Sequence, residues 1–229
     1  MDDTGPRLFS RRRLMGLASA ALLIGTGATR SRAAGAALRR TSSQPLRFDI
    51  LMGDDVIGSH QVEFDGFGDD LLVETRIEIE VKFLFLTLFE YSHRSAETWK
   101  ADRLEAFASN TNDNGRLDSV IGQARDNGFE VQGRKGTTLA PADVMVGSFW
   151  NPDILSHDLL IDPQKGTLEE QVIYDRERTT LIIGGEPCPV TRYRLSSILD
   201  GEVYYDDRGR WVGGTFEKKG TNIRYRLQV

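Results

Sequence analysis

From Gln44 onward, segment after segment alternates apolar with polar residues and then ends in a turn signal. Period-two alternation marks strands with one buried and one wet face. Ile77, Ile79, Val81 and Phe83 alternate with Glu78, Glu80 and Lys82, and Ile223, Tyr225, Leu227 and Val229 with Asn222, Arg224, Arg226 and Gln228. Between such runs lie Gly53-Asp54-Asp55, Asn112-Asp113-Asn114-Gly115, Asp126-Asn127-Gly128, Gly184-Gly185, Asp200-Gly201, Asp206-Asp207-Arg208-Gly209 and Lys219-Gly220. Asn, Asp and Gly tolerate the positive φ that tight hairpin turns demand. The pattern predicts some seven strands, a partly helical crossover at about 141–158, then five more strands. About twelve antiparallel strands cannot lie flat, so the expected fold is all-β: a strongly coiled sheet or barrel-like β-cup.

Two stretches depart from the rhythm. Residues 70–99 alternate with no Gly or Pro, yet one strand of that length would run roughly 100 Å at 3.3 Å per residue. A bend is therefore expected inside "FLFLTLFEY", as a bulge or coiled corner near Leu86 and Thr87. The other stretch, "APADVMVGSFWNPDILSHDLLIDPQKG", holds Pro141, Pro152 and Pro163 and no alternation. Pro141 is expected to open a helix reaching about Phe149, and Pro152 a second one after Asn151, because proline suits a first helical turn.

Several stretches invite a chemical reading. The apolar run Phe83, Leu84, Phe85, Leu86, Leu88 and Phe89 reads as a strand buried on both faces, or as the lining of a cavity for a greasy ligand. "YSHRSAETW" puts Tyr91, His93, Ser95, Glu97 and Trp99 on one strand face. His93 and Glu97 then lie about 14 Å apart at 3.4 Å per residue, too far for a direct acid–base pair. Phe149 and Trp150 are expected to plug one end of the curved sheet, facing the same interior as Phe83, Phe85 and Phe89. The ligand-binding candidates are thus Phe83, Phe85, Phe89, Tyr91, His93, Phe149 and Trp150. Arg192, Arg194, Arg224 and Arg226 read as a wet face paired with acids or as a basic stripe.

Catalytic and cofactor signatures are missing. His60, His93 and His157 are dispersed without paired metal-ligand spacing. No Gly-x-Ser-x-Gly, Ser-x-x-Lys or phosphate-binding glycine loop occurs, and Cys188 in "EPCPV" has no basic neighbour to activate it. The sequence therefore leads one to expect no catalytic residue, no metal and no cofactor.

The first 36 residues are a separate element. Ser10-Arg11-Arg12-Arg13-Leu14-Met15 resembles a twin-arginine export signal, and the apolar stretch Met15–Ala28 is shorter than the roughly 20 residues a membrane helix needs. Ala34-Gly35-Ala36 is a small-x-small cleavage pattern. The expected layout is a signal peptide at 1–36, a linker at 37–45 and one domain at 46–229, delivered to the periplasm with no transmembrane anchor after cleavage. The whole chain carries 29 basic and 34 acidic residues. Without the leader's six arginines and two aspartates the balance is 23 to 32, a net of −9. So acidic a protein is poorly suited to nucleic acid. Cys188, the only cysteine, excludes an internal disulfide.

The blocks "GSHQVEF", "YSHRSAETW", "SNTNDNG", "SFWNP" and "YYDDRGRWVGGTFEKKGTNIRYRL" resemble an uncharacterised family of exported proteobacterial proteins, a domain of unknown function, over nearly all of 46–229. The resemblance implies an exported β-rich domain and carries over no catalytic residue. Together these readings lead to a non-catalytic envelope protein holding an apolar or amphipathic small molecule in a β-cup. The alternatives are an envelope hydrolase or modifying enzyme assembled in space around His60, His93 and Glu97, and an accessory protein meeting an envelope partner through a surface. The export reading is checked by changing Arg11 and Arg12 to lysine together: the protein should then stay in the cytoplasm, and continued export would refute the signal.

Overall fold

In a computed structural model, residues 44–229 are described, apart from Gly68, Phe85 and Lys219 and the side chains of Phe67, Phe83 and Lys218. The export signal and residues 37–43 of the linker lie outside these residues. Eight strands come first: β1 (Leu46–Met52), β2 (Asp55–Phe67), β3 (Asp70–Phe83), β4 (Leu86–Lys100), β5 (Arg103–Asp113), β6 (Arg116–Arg125), β7 (Gly128–Gly133) and β8 (Gly136–Ala140). The crossover follows, with β9 (Met145–Val146), a 3-10 helix (Pro152–Ser156), β10 (Leu159–Ile161) and β11 (Leu168–Glu170). Five strands close the chain: β12 (Val172–Ile183), β13 (Glu186–Ser196), β14 (Asp200–Asp206), β15 (Trp211–Lys218) and β16 (Thr221–Leu227).

Thirteen strands form one antiparallel sheet in the order β12-β13-β14-β15-β16-β1-β2-β3-β4-β5-β6-β7-β8. Every neighbour pair but one is a sequence hairpin. The exception joins β1 to β16, placing Phe48 opposite Leu227 and fusing the two ends of the domain into a continuous surface. The sheet therefore has two ends, β8 and β12, and the crossover between them builds its own small sheet β11-β10-β9. One face of the large sheet carries the core, with Phe48, Val62, Val73, Phe107, Val131, Leu195, Val203 and Trp211 almost wholly enclosed.

The crossover lies against that face. Gly133 of β7 shows how closely: a Cβ there would sit 2.3 Å from the carbonyl oxygen of Lys165 and 2.7 Å from Cα of Gly166. The Arg134 amide donates to the Lys165 carbonyl at 2.8 Å, so the two glycines let backbone meet backbone.

Phe149 and Trp150 are buried and point to opposite halves of the sheet. The Trp150 indole lies 5.5 Å from Phe64 and perpendicular to Trp99 at 5.7 Å, and its Nε1 donates to Oε1 of Glu97 at 3.1 Å. Trp99 Nε1 donates to the other oxygen of Glu97 at 2.9 Å. Phe149 stacks on Phe216 at 5.3 Å, and its carbonyl accepts from the Tyr205 hydroxyl at 2.8 Å. Its φ of +60° is a cost for a bulky residue that this two-sided anchoring must offset.

Three expectations need correction. Residues 141–149 form no helix: β9 takes Met145–Val146 and pairs with β10, because the segment's apolar residues are buried between layers. The second expected helix is present as 3-10, capped by Asn151, whose Oδ1 accepts from the Asp153 amide at 3.1 Å. Residues 70–99 do not form a cornered strand but a hairpin, with Leu84 itself at φ +54° in place of a glycine. A bulge does occur, where Val81 pairs with Phe89 but Lys82 with Thr87. Beyond Ile79 and Tyr91 this hairpin outruns its neighbours β2 and β5 and projects as a two-stranded finger. Leu84, Leu86 and Leu88 are accordingly exposed rather than buried on both sides.

Burial pushes the Glu97 carboxyl up to about 7 from an ordinary 4.5, against the pull of its Ser148, Trp150 and Trp99 donors. Because the folded value lies above the unfolded one, this contribution to stability is full below about 4.5 and is lost as pH rises through 7. Relative to Glu97→Gln, the parent should lose roughly 3 kcal/mol between pH 4 and 8. Chemical denaturation of both proteins across that range checks it; a constant difference would refute it. Trp150→Ala should cost about 3–5 kcal/mol, and thermal unfolding as stable as the parent's would show that Trp150 is no plug.

Candidate functional site

Strand pairing aligns inward side chains into rows across the sheet. One row runs Leu227, Phe48, His60, Ile77, His93, Thr111 and Asp118 across β16, β1, β2, β3, β4, β5 and β6. The next holds Leu46, Val62, Thr75, Ser95, Ser109 and Val120. His60, Thr75, His93, Ser95, Ser109 and Thr111 therefore make a buried polar wall on β2–β5 where alternation alone leads one to expect core.

The protein satisfies part of this wall. His93 Nδ1 and Thr111 Oγ1 lie 2.7 Å apart in a hydrogen bond, and Ser109 Oγ donates to the Pro163 carbonyl at 2.6 Å. His60 and Thr75 differ. Both His60 ring nitrogens and Thr75 Oγ1 are enclosed without a hydrogen-bond partner among the described residues. His60 stands instead among aromatic rings, edge-on to Trp211 at 5.2 Å and Tyr225 at 5.6 Å, with Phe48 at 6.0 Å. Burial pulls the His60 imidazole down to about 3, with His93 adding to the effect. Burial likewise lowers His93 to about 4, against the pull of Asp162. Both rings are neutral at ordinary pH. Burial also raises the Tyr91 and Tyr225 phenols, keeping them protonated.

Acids border the wall toward β6 and the crossover, each engaged by a cation. Asp113 meets Arg116 at 3.0 Å, Asp162 meets Lys165 at 2.7 Å, and Asp118 takes Arg134 Nε at 2.7 Å. Toward the finger the wall opens. Tyr91 and Phe89 continue the inward row of β4, opposite Ile79 and Val81, and all four are half-buried.

The sequence candidates thus fall in three places. His93 and Tyr91 belong to the wall and Phe89 to its open end. Phe149 and Trp150 sit deep in the packed half, where Glu97, Trp150's partner, lies about 27 Å along β4 from Phe89 at 3.4 Å per residue. Phe85 and the Phe83 side chain lie outside what is described. Phe89 and the Phe149–Trp150 pair therefore do not share one lining. Nor do His60, His93 and Glu97 meet, since both oxygens of Glu97 are held by indoles. The four arginines of the supposed stripe are paired: Arg192 with Asp175 and Glu177, Arg194 with Glu202, Arg224 with Asp54 and Arg226 with Asp49.

Thr75 was missed as a wall residue, though a signal existed. Thr75 falls in register with Val73, Ile77 and Ile79, a hydroxyl inside an apolar series, and His60 interrupts Val62 and Phe64 in the same way.

A separate groove of about 560 Å³ lies outside the wall, between the β4–β5 turn and the crossover. Its lining includes Leu104, Val144 and Met145 with Asp102, Arg103, Asp143, Asp153 and His157. Ser156 Oγ and His157 Nδ1 there lie 3.3 Å apart, but an Nδ1 that donates to a carbonyl carries the proton and cannot take one from the serine. Ser156 Oγ donates to the Asp153 carbonyl at 2.8 Å, and His157 Nδ1 lies 3.0 Å from the same oxygen.

Comparison with known proteins agrees with the fold. The crystal structure of a β-barrel-like protein of the domain of unknown function DUF1849 from Brucella abortus is similar, with a TM-score of 0.58 at 14% identity. The similarity covers 80% of this chain and 94% of that one. At that identity it speaks for the fold alone. No curated protein matches the sequence. The model of a domain of unknown function, DUF6134, matches residues 48–228, and the chain belongs to that family.

Proposed function

We propose that this is a non-catalytic, exported envelope protein that holds an amphipathic small molecule on the concave face of its sheet, at the end nearest the finger. The observation that carries the reading is the pair His60 and Thr75. A buried donor or acceptor left unmet costs about 1–3 kcal/mol, and nearly all such groups in folded proteins are paired. Apolar residues at both positions would suit the surrounding Phe48, Trp211 and Tyr225 better. Polar groups kept at that cost suit a guest better than they suit the fold. The half-buried Phe89, Tyr91, Ile79 and Val81 offer the guest an apolar approach.

A second reading rests on the finger. Leu84, Leu86 and Leu88 are 78%, 67% and 58% exposed on a narrow projection, the kind of apolar surface that favours an envelope protein partner. Crosslinking in the intact envelope would lose an adduct in Leu86→Ser/Leu88→Ser if that surface docks a partner; an unchanged pattern rejects it.

The primary reading is tested by mass spectrometry of small molecules extracted from the native protein purified from its own envelope. A stoichiometric organic molecule is expected from the parent, and none from His60→Phe, which should unfold no earlier than the parent. An empty parent protein would refute the reading.

A further inference from the structure

We infer that the guest on this wall carries an uncharged hydrogen-bonding head group, a hydroxyl, carbonyl or amide, anchored by His60 and Thr75 with its apolar body lying toward Phe89. This rests on the ligand-binding reading above and adds the chemistry and direction of the guest. His60 and Thr75 are neighbours on paired strands: His60 faces Ile77, and Thr75 lies two residues along β3 on the same side. Such diagonal positions are about 7–8 Å apart, so one small head group can meet both.

Charge decides the class. The inward positions of β2–β5 carry no lysine or arginine, as the register shows. An anionic head would be buried without a counter-ion, on a wall whose far edge toward β6 and the crossover carries Asp113, Asp118 and Asp162, and burying an unpaired charge is among the costliest acts in a protein interior. A cationic head would find those three acids already held by Arg116, Arg134 and Lys165. A neutral head meets only neutral groups. Imidazole supplies one donor and one acceptor and threonine supplies both, so the pair matches a hydroxyl or amide on either side of its hydrogen bond.

Direction follows from what closes each side. The crossover packs over the wall through the Ser109 contact with Pro163 and the Gln164 Nε2 donation to Asp113 at 3.3 Å. Trp211, Phe48 and Tyr225 close the β1–β16 side. Toward the finger, past the buried His93, the inward side chains Tyr91 and Phe89 of β4 and Ile79 and Val81 of β3 are half-buried. From His93 to Phe89 is about 14 Å at 3.4 Å per residue, close to the extended length of a ten-carbon chain.

Three probes sharing one tail separate the possibilities: decan-1-ol, decanoate and decyltrimethylammonium, titrated at neutral pH by calorimetry and tryptophan fluorescence. Trp211, in contact with His60, is the reporter. The alcohol should bind at least tenfold more tightly than either ion. Thr75→Val, which keeps the residue's shape, should weaken the alcohol several-fold, and His60→Phe/Thr75→Val at least tenfold, with thermal unfolding no earlier than the parent's. Equal or tighter binding of an ion, alcohol binding indifferent to both variants, or no alcohol binding would each overturn the inference. If the alcohol fails while native extraction yields a small molecule, the head-group class falls and the ligand-binding reading stands. If extraction is empty as well, both fall.

Discussion

The Glu97 carboxylate, with an indole on each oxygen, holds the two layers of this protein in register. One indole, Trp99, comes from the same strand, and the other, Trp150, from the crossover 53 residues away. A buried carboxyl is expensive, and burial alone raises its proton affinity. Donors fixed by aromatic packing make it tolerable, and in return it orients both rings. Trp150 can then rest against Phe64 while its neighbour Phe149 reaches the opposite half of the sheet. The crossover is thereby clamped between the N-terminal and C-terminal strands, joining across the interior two halves whose only ladder among the described residues is β1 with β16.

With the crossover fixed, the concave face divides in two. One part is an apolar core of Val73, Phe107, Val131, Ile154 and Ile161 around the aromatic clamp. The other is the polar wall, where serine and threonine hydroxyls and two neutral imidazoles replace aliphatic side chains. The contrast within the wall is its most informative property. His93 and Ser109 find protein partners, whereas His60 and Thr75, buried like them, find none among the described residues. A fold selected only for stability has no use for that difference, because apolar groups there would cost less.

Alternation showed the all-β, coiled antiparallel architecture and nearly all the turns, because inward and outward positions on a half-buried strand differ by one residue. It was weaker wherever a residue's environment depends on strands it is not adjacent to. The run "FLFLTLF" reads as core by composition, yet Leu84, Leu86 and Leu88 are exposed because β2 and β5 stop short of the finger. Residues 141–149 read as helix from a proline, but β9 pairs with β10 instead. The crossover's SFWNP block stood out as aromatic, though nothing in it disclosed that Phe149 and Trp150 would face opposite ways.

The sequence by itself determined the period of the strands, the turns between them and the all-β class, since these follow from local backbone preference and the pattern of burial along each strand. It also held the residues of the wall, with His60 and Thr75 visible as polar breaks in apolar series. Only the tertiary structure decided that the breaks matter. Trp211 and Tyr225 reach His60 because β16 pairs with β1, a contact between chain ends that no local pattern encodes. Whether a buried polar group finds a partner is a property of the whole enclosure, and here the described residues supply one for His93 and none for His60.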